Sequence, residues 1–282
     1  IVINDNNWIL DPCNLDHQWS GVGGGSPNSE LRMPDWKEDP IALDPVEGLK
    51  KGTVERDLLF NSSVLGYQIT YSIYIPVGYK PGHPHPVIYV MDGYEYMHER
   101  MGNMLLVLDN LIYLNKIKPV VAVFIDHREP VNRANNRSTQ ELAMNETYLK
   151  FMVDELIPVV EKNYSISKDP SQRGVLGTSM GGLSAAYFAF SKPEVFGLAG
   201  IQSPAFWFKP DIYQLCQSAE HPPVKTFMTT GLINDTEEGT RKMTSILDQN
   251  TCTYEYKSVA QGHSWGNWRD LIDDILVYFF PS

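Results

Sequence analysis

Only three cysteines, Cys13, Cys216 and Cys252, occur in a chain of 282 residues. None has the spacing of a metal-ligand pair, which sets aside a cysteine-built metal centre. A single Cys216–Cys252 bridge and buried free thiols both stay open. Runs of Lys and Arg are also missing: 23 basic residues face 34 acidic ones, for a net charge of −11. Nucleic-acid binding needs a clustered basic footprint, and attraction to anionic lipid needs the same, so neither partner is expected. No apolar run reaches the roughly 18 residues of a membrane span. No internal repeat is visible. The chain opens at Ile1 without Met, basic n-region or apolar leader core, so a processed leader and a trimmed piece read alike. Asn-x-Ser/Thr sequons at Asn61, Asn136, Asn145, Asn163 and Asn234 favour a secreted or periplasmic protein, with a cytoplasmic one as the alternative.

What is present is an ordinary globular composition, 43% hydrophobic and 20% charged, with length for one large α/β domain. Residues 1–45 stand apart. "GVGGGSPNSE" and "MPDWKEDPIALDP" are rich in Gly, Pro and acid and have no sustained period, so they read as an N-terminal arm packed on the domain through Trp8, Trp19 or Trp36. Residues 46–282 read as the domain. "TVERDLLFNS" and "QITYSIYIP" alternate like an antiparallel pair turning at Gly66. "PVIYVMDG" (86–93) and "PVVAVFID" (119–126) are continuous apolar runs, as in strands buried on both faces. Further strands are expected near 173–177, 196–202, 224–230 and 253–258. Helices are expected near 100–115, from 140 to 164, over 181–191, near 236–248 and from about 267. Such βα repetition predicts a doubly wound, mostly parallel sheet with helices on both faces.

"GVLGTSMGG" (174–182) puts Ser179 between Gly177 and Gly181 where a strand passes into a helix. A serine on a tight strand-to-helix turn has its hydroxyl pushed out above the sheet edge, and its neighbours two residues away must be small. Serine is a weak nucleophile, so a histidine base held by a carboxylate is required, in chain order Ser, acid, His. Of seven histidines, only His263 in "VAQGHSWGNW" follows the last expected strand; His221 lies before strand 224–230. The acid should follow that strand, and Asp235 is favoured over Glu237 and Glu238, which suit a first helical turn. The oxyanion donors are expected at the backbone N–H of Met180 and of Tyr94, where Gly93 allows close approach. Tyr94, Phe206, Trp207 and Trp265 are candidate pocket walls, and Trp268 could join Trp265 beside His263. Arg128, Arg133 and Arg137 crowd one loop at the same edge, as a solvated cluster or an anion clamp; Arg137 is kept as a substrate-binding candidate.

"VIYVMDG", "FIDHREPVNRANNRSTQEL", "DELIPVVEKNY", "GVLGTSMGGLSAAYFAF", "PEVFGLAGIQSPAFWF" and "GHSWGNWRDLI" together resemble the enterobactin (enterochelin) esterase-like branch of the putative-esterase family. Feruloyl and acetyl-xylan esterases neighbour this branch. The resemblance spans about residues 46–282. It implies an α/β-hydrolase fold, no cofactor or metal, and carboxylic ester hydrolysis on a small-molecule or oligosaccharide ester. It implies Ser179 as nucleophile, His263 as base and Asp235 as acid, with Tyr94 and Trp207 at the pocket edge. Aryl or acyl esters of carbohydrates are the expected substrates, and siderophore trilactones come second. Acyl transfer to a sugar and a non-catalytic carbohydrate-binding pseudo-hydrolase are the rival classes.

Overall fold

The computed structural model describes residues 2–19, 26–34, 36–37, 39–218 and 223–282, apart from the side chain of Trp8. Its centre is one eight-stranded sheet. In chain order the strands are β1 (Thr53–Asn61), β2 (Gln68–Ile75), β3 (Val87–Val90), β4 (Val121–Asp126), β5 (Arg173–Thr178), β6 (Leu198–Gln202), β7 (Lys225–Gly231) and β8 (Tyr254–Val259). They lie in the order β1-β2-β4-β3-β5-β6-β7-β8. β1 and β2 pair antiparallel, β2 joins β4 antiparallel, and every pairing from β4 to β8 is parallel. The expected doubly wound sheet is therefore present.

Successive strand residues point to opposite faces, so apolar runs at the sheet centre bury both. Val87, Tyr89 and Met91 enter one core with Val123, Val175 and Phe188. Ile88 and Val90 enter the other with Ala122, Leu176 and the helices Met104–Tyr113 and Ile272–Phe279. The chain runs from β3 to one side and places β5 on the other. The C-terminal ends of β3 and β5 thus flank a topological switch point, the crevice where open α/β sheets take ligands.

The sequence period suggests one helix over 140–164, but the structure interrupts it. Helix Ser138–Leu142 stops, Met144 adopts φ +54°, and Asn145 starts a new helix by accepting from Tyr148 N–H at 3.1 Å. Later, Met152–Leu156 forms a π-helical turn in which Ile157 N–H reaches the Met152 carbonyl. Pro158 supplies no N–H for a regular turn there, and such bulges relieve that conflict. The turn directs Glu155 at the β1–β2 hairpin. Its carboxylate accepts from Ser62 Oγ, from Ser63 N–H at 3.0 Å and from Val64 N–H at 3.2 Å.

Among the described residues of the arm, Val2–Ile3 pairs antiparallel with Asn7–Trp8, and His17–Trp19 with Pro27–Ser29. Trp19 packs on the second core with the Arg100 guanidinium over its ring, whereas Trp36 carries Arg32. Gln18 is buried against Gly266, where an added Cβ would come within 2.8 Å of Gln18 Cδ. Asn110 holds the following short helix, Pro40–Leu43, by donating to the carbonyls of Ile41 and Asp44. Cys13, Cys216 and Cys252 are all free thiols, so no Cys216–Cys252 bridge forms.

Glu155→Ala should remove three hydrogen bonds to a charged acceptor and destabilise the fold by about 1–3 kcal/mol. Urea unfolding measures it, and an unchanged midpoint would show that the hairpin turn does not depend on this clamp.

Candidate active site

Ser179 leaves β5 with φ +54° and ψ −112°, a conformation that non-glycine residues adopt only when their surroundings impose it. Its N–H donates to Gln202 carbonyl at 2.9 Å, and its carbonyl accepts from Ala205 N–H at 2.9 Å and Leu183 N–H at 3.1 Å. The turn is thus tied to the loop after β6 on one side and to its own helix, Met180–Ser191, on the other. The flanking glycines are sterically required. A Cβ on Gly177 would lie 2.4 Å from the Gly181 backbone, and one on Gly181 would lie 2.6 Å from Asp92 Oδ2.

The loop after β8 brings His263 to this serine. His263 Nε2 is 3.1 Å from Ser179 Oγ, and Nδ1 is 2.7 Å from Asp235 Oδ1. The imidazole stands edge-on to Trp268, with ring centroids 4.8 Å apart. Asp235 follows β7 on a turn made by Asn234 at φ +49°, and its side chain is fully buried. Oδ2 accepts from Ser203 Oγ and Gly231 N–H, both at 2.6 Å, and from Asn267 Nδ2 at 3.2 Å. Burial raises the pKa of such a carboxyl, but the bonds from His263, Ser203 and Gly231 outweigh it and hold Asp235 below the ordinary carboxylate range. Glu237 instead pairs with Arg241 at 2.7 Å, as expected of a first-turn carboxylate. The structure therefore assembles Ser179, His263 and the favoured Asp235. His221 lies outside the described residues.

Two supports of this arrangement, Ser203 and Asn267, carry no local sequence signal; Trp268, expected beside His263, is a third. Trp268 Nε1 donates to Ser203 Oγ at 2.8 Å, so one indole supports His263 by contact and Asp235 through Ser203. Gln202, wholly buried, donates to the Trp268 carbonyl at 2.8 Å and accepts from Tyr96 OH at 2.7 Å. This links the turn after β3 to the histidine loop.

Met180 opens its helix, and Tyr94 is the second residue of helix Gly93–Met97. Backbone N–H groups in a first turn have no carbonyl within the helix to bond. The contact between Gly181 and Asp92 sets the two helix starts side by side. Gly93 is itself obligatory, since a Cβ would lie 2.5 Å from the Phe124 backbone.

Other expected pocket residues need correction. Trp265 is 3% exposed, packed edge-on against Tyr96 and Trp268, because the helix Trp265–Arg269 turns it into the core. Phe206 is buried against Tyr213, although it lines with Trp207 a cavity of about 440 Å³ beside Asp235 and Thr236. Trp207 is 72% exposed. Arg137 is engaged by the protein itself: it donates to Glu141 at 3.0 Å and lies over the Tyr67 ring. Its neighbours are engaged in the same way. Arg128 chelates Asp126 and lies over Tyr94, while Arg133 bonds Asp126 and Asp57. Among the described residues, no group of three or more His, Cys, Asp or Glu could hold a metal ion, and no helix is long and apolar enough to cross a membrane.

A family model described as "Putative esterase" matches residues 62–279, well over half of the chain. An uncharacterized protein of Bacillus subtilis, YjcH, is 25% identical over 237 residues, covering 80% of this chain and 97% of its own. An endo-1,4-beta-xylanase/feruloyl esterase of Xylanibacter ruminicola is 29% identical over 172 residues, 58% of this chain and 23% of that one. The iron(III) enterobactin esterase of Escherichia coli is 29% identical over 200 residues, 71% of this chain and 47% of that one. Among solved structures, the enterobactin esterase of Shigella flexneri superposes with a TM-score of 0.78 at 22% identity, over 95% of this chain and 68% of that one.

Beside the Tyr94 turn, burial raises the Glu95 carboxyl well above its ordinary value; Asp92 adds to the rise, and Arg128 only partly opposes it. A carboxyl raised by folding binds its proton more tightly in the native state, so its ionisation costs stability as pH climbs from the ordinary glutamate pKa towards the raised one. Glu95→Gln should leave the melting temperature unchanged below that window and raise it above the window. Melting curves on both sides of the shift test this, and an equal difference at both would contradict it.

Proposed function

The chain belongs to the putative-esterase family, and on that premise we propose that it hydrolyses carboxylic esters through a Ser179 acyl-enzyme. One observation carries this reading: Ser179 Oγ, His263 and Asp235 form a continuous hydrogen-bonded line of 3.1 and 2.7 Å. Ser179 Oγ attacks the ester carbonyl while His263 Nε2 takes its proton. Asp235, kept ionised, fixes the proton on Nδ1 and stabilises the imidazolium. The N–H groups of Met180 and Tyr94 receive the developing oxyanion. His263 then protonates the leaving alkoxide, and water repeats the sequence on the acyl-enzyme.

For substrate, the proposal is an uncharged aryl or short acyl ester of feruloyl or acetyl type, carried on a carbohydrate. The similarity to a xylanase/feruloyl esterase supports it, as does the exposed Trp207, since flat rings stack well on aromatic acids and sugars. Similarity to enterobactin esterases supports a second reading, a siderophore lactone. Against that reading, the three loop arginines are engaged by the protein's own carboxylates, which leaves little positive charge for an anionic catecholate complex.

Ser179→Ala should cut turnover of an aryl acetate at least about a thousandfold in a folded protein. Retention of a tenth of the rate would remove the nucleophile assignment. Asp235→Asn should lower kcat with little change in KM, whereas Glu237→Gln and Glu238→Gln should stay near wild type. Trp207→Ala should raise KM for a cinnamoyl-type ester about tenfold, equivalent to about 1.4 kcal/mol, and affect an acetate less. Across methyl ferulate, acetylated xylan and a catecholate lactone, preference for the lactone would favour the siderophore reading.

A further inference from the structure

Tyr96 is a wholly buried phenol that the ester chemistry does not use. It lies two residues past Tyr94, in the same short helix, Gly93–Met97. Its backbone is held on two sides. Tyr96 N–H donates to the Asp92 carbonyl at 3.1 Å, and an added Cβ on Gly102 would come within 2.6 Å of Tyr96 Cα. Burial pushes the phenol well above the ordinary tyrosine value, so it keeps its proton and remains a donor.

The hydroxyl donates to Gln202 Oε1 at 2.7 Å. Gln202 is the last residue of β6, which lies two strands from β3, with β5 and its serine turn between them. Three bonds meet on Gln202. Its backbone carbonyl accepts from Ser179 N–H at 2.9 Å, its Oε1 accepts from Tyr96, and its Nε2 donates to the Trp268 carbonyl at 2.8 Å. A carbonyl only accepts, so the amide nitrogen must face Trp268 and the amide oxygen must face the phenol. The side chain is wholly buried, so losing either partner leaves a polar atom unmet. A second route from Tyr96 runs through rings. Tyr96 stands edge-on to Trp265 with centroids 5.1 Å apart, Trp265 to Trp268 at 5.1 Å, and Trp268 to His263 at 4.8 Å. Edge-to-face pairs have a preferred geometry, so each ring restricts the next.

We propose that Tyr96 is a positioning residue that holds the Tyr94 N–H in register with Ser179 and His263, acting through Gln202 and through the Trp265–Trp268 rings. It meets no substrate atom. The hydrogen bond to Gln202 sets the turn after β3 against the serine turn, and the rings set that same turn against the imidazole. This inference rests on the Ser179 reading above.

The test is a double-mutant cycle on an aryl acetate with Tyr96→Phe, Gln202→Met and the pair, alongside phenylboronic acid affinity and melting temperature. Tyr96→Phe removes one hydroxyl and keeps every ring contact. It should lower kcat about ten- to a hundredfold, the cost of a small misplacement of a reacting group, with KM little changed and boronate binding weakened in parallel. Gln202→Met should show the same pattern. The pair should be no worse than Gln202→Met alone, because that change already removes the phenol's acceptor. A merely structural bond would lower the melting temperature and leave kcat per folded molecule and boronate binding intact, which overturns the proposal. A loss confined to KM overturns it, as do losses in kcat that multiply in the pair. Should Gln202→Met fail to fold, Tyr96→Phe decides alone on kcat and boronate affinity. Wild-type kcat in Tyr96→Phe beside an inactive Ser179→Ala refutes this inference alone; an active Ser179→Ala refutes the site reading and this with it.

Discussion

The strained backbone at Ser179 is the constraint on which the site depends. A positive φ on a residue with a Cβ costs of order 1–3 kcal/mol, so something must hold it. Here the holding is done by backbone bonds with Gln202, the last residue of β6, and Ala205 in the loop that follows it. That same loop contains Ser203, which supports Asp235, and follows the strand whose Gln202 side chain binds Tyr96 and the Trp268 carbonyl. The turns after β3, β5, β6, β7 and β8 are thereby joined into one hydrogen-bonded unit. Catalytic geometry of this kind must be held within fractions of an ångström, and rigid strand ends linked to one another provide that.

Electrostatics divides the same edge into two regions. Around Asp235, donors outnumber what burial costs, and the carboxylate stays ionised. Around Asp92 and Glu95, burial wins and both carboxyls are raised. The arginines that would offset this are spent on Asp126, Asp57 and Glu141.

Much of the architecture was legible because local chemistry specifies it. Apolar runs bounded by turn residues marked β3 to β7, and the Gly177–Ser179–Gly181 frame marked the elbow because only small residues fit there. Chain order then selected His263 and Asp235. What stayed hidden depends on contacts distant in sequence. Nothing near Ser203 or Asn267 announces that it will bond Asp235, some 30 residues away. Trp265 read as a pocket wall because an aromatic in a loop gives no sign of which way it faces. The pairing of Arg128 with Asp126 was equally invisible, since charge counts do not say which charges meet. The break near Asn145 escaped because the apolar period continues through it.

The seat of Gln18 on Gly266 bears on what the first 45 residues are. The short strand His17–Trp19 looks like an appendage, but its Gln18 side chain lies against Gly266 in the short helix that also bears Trp268. That indole is the platform under His263 and the donor to Ser203. Through Gln18 the arm is thus in packing contact with the helix that carries Trp268, and Trp268 in turn packs on His263, so residues far from the sheet edge sit one ring away from the imidazole.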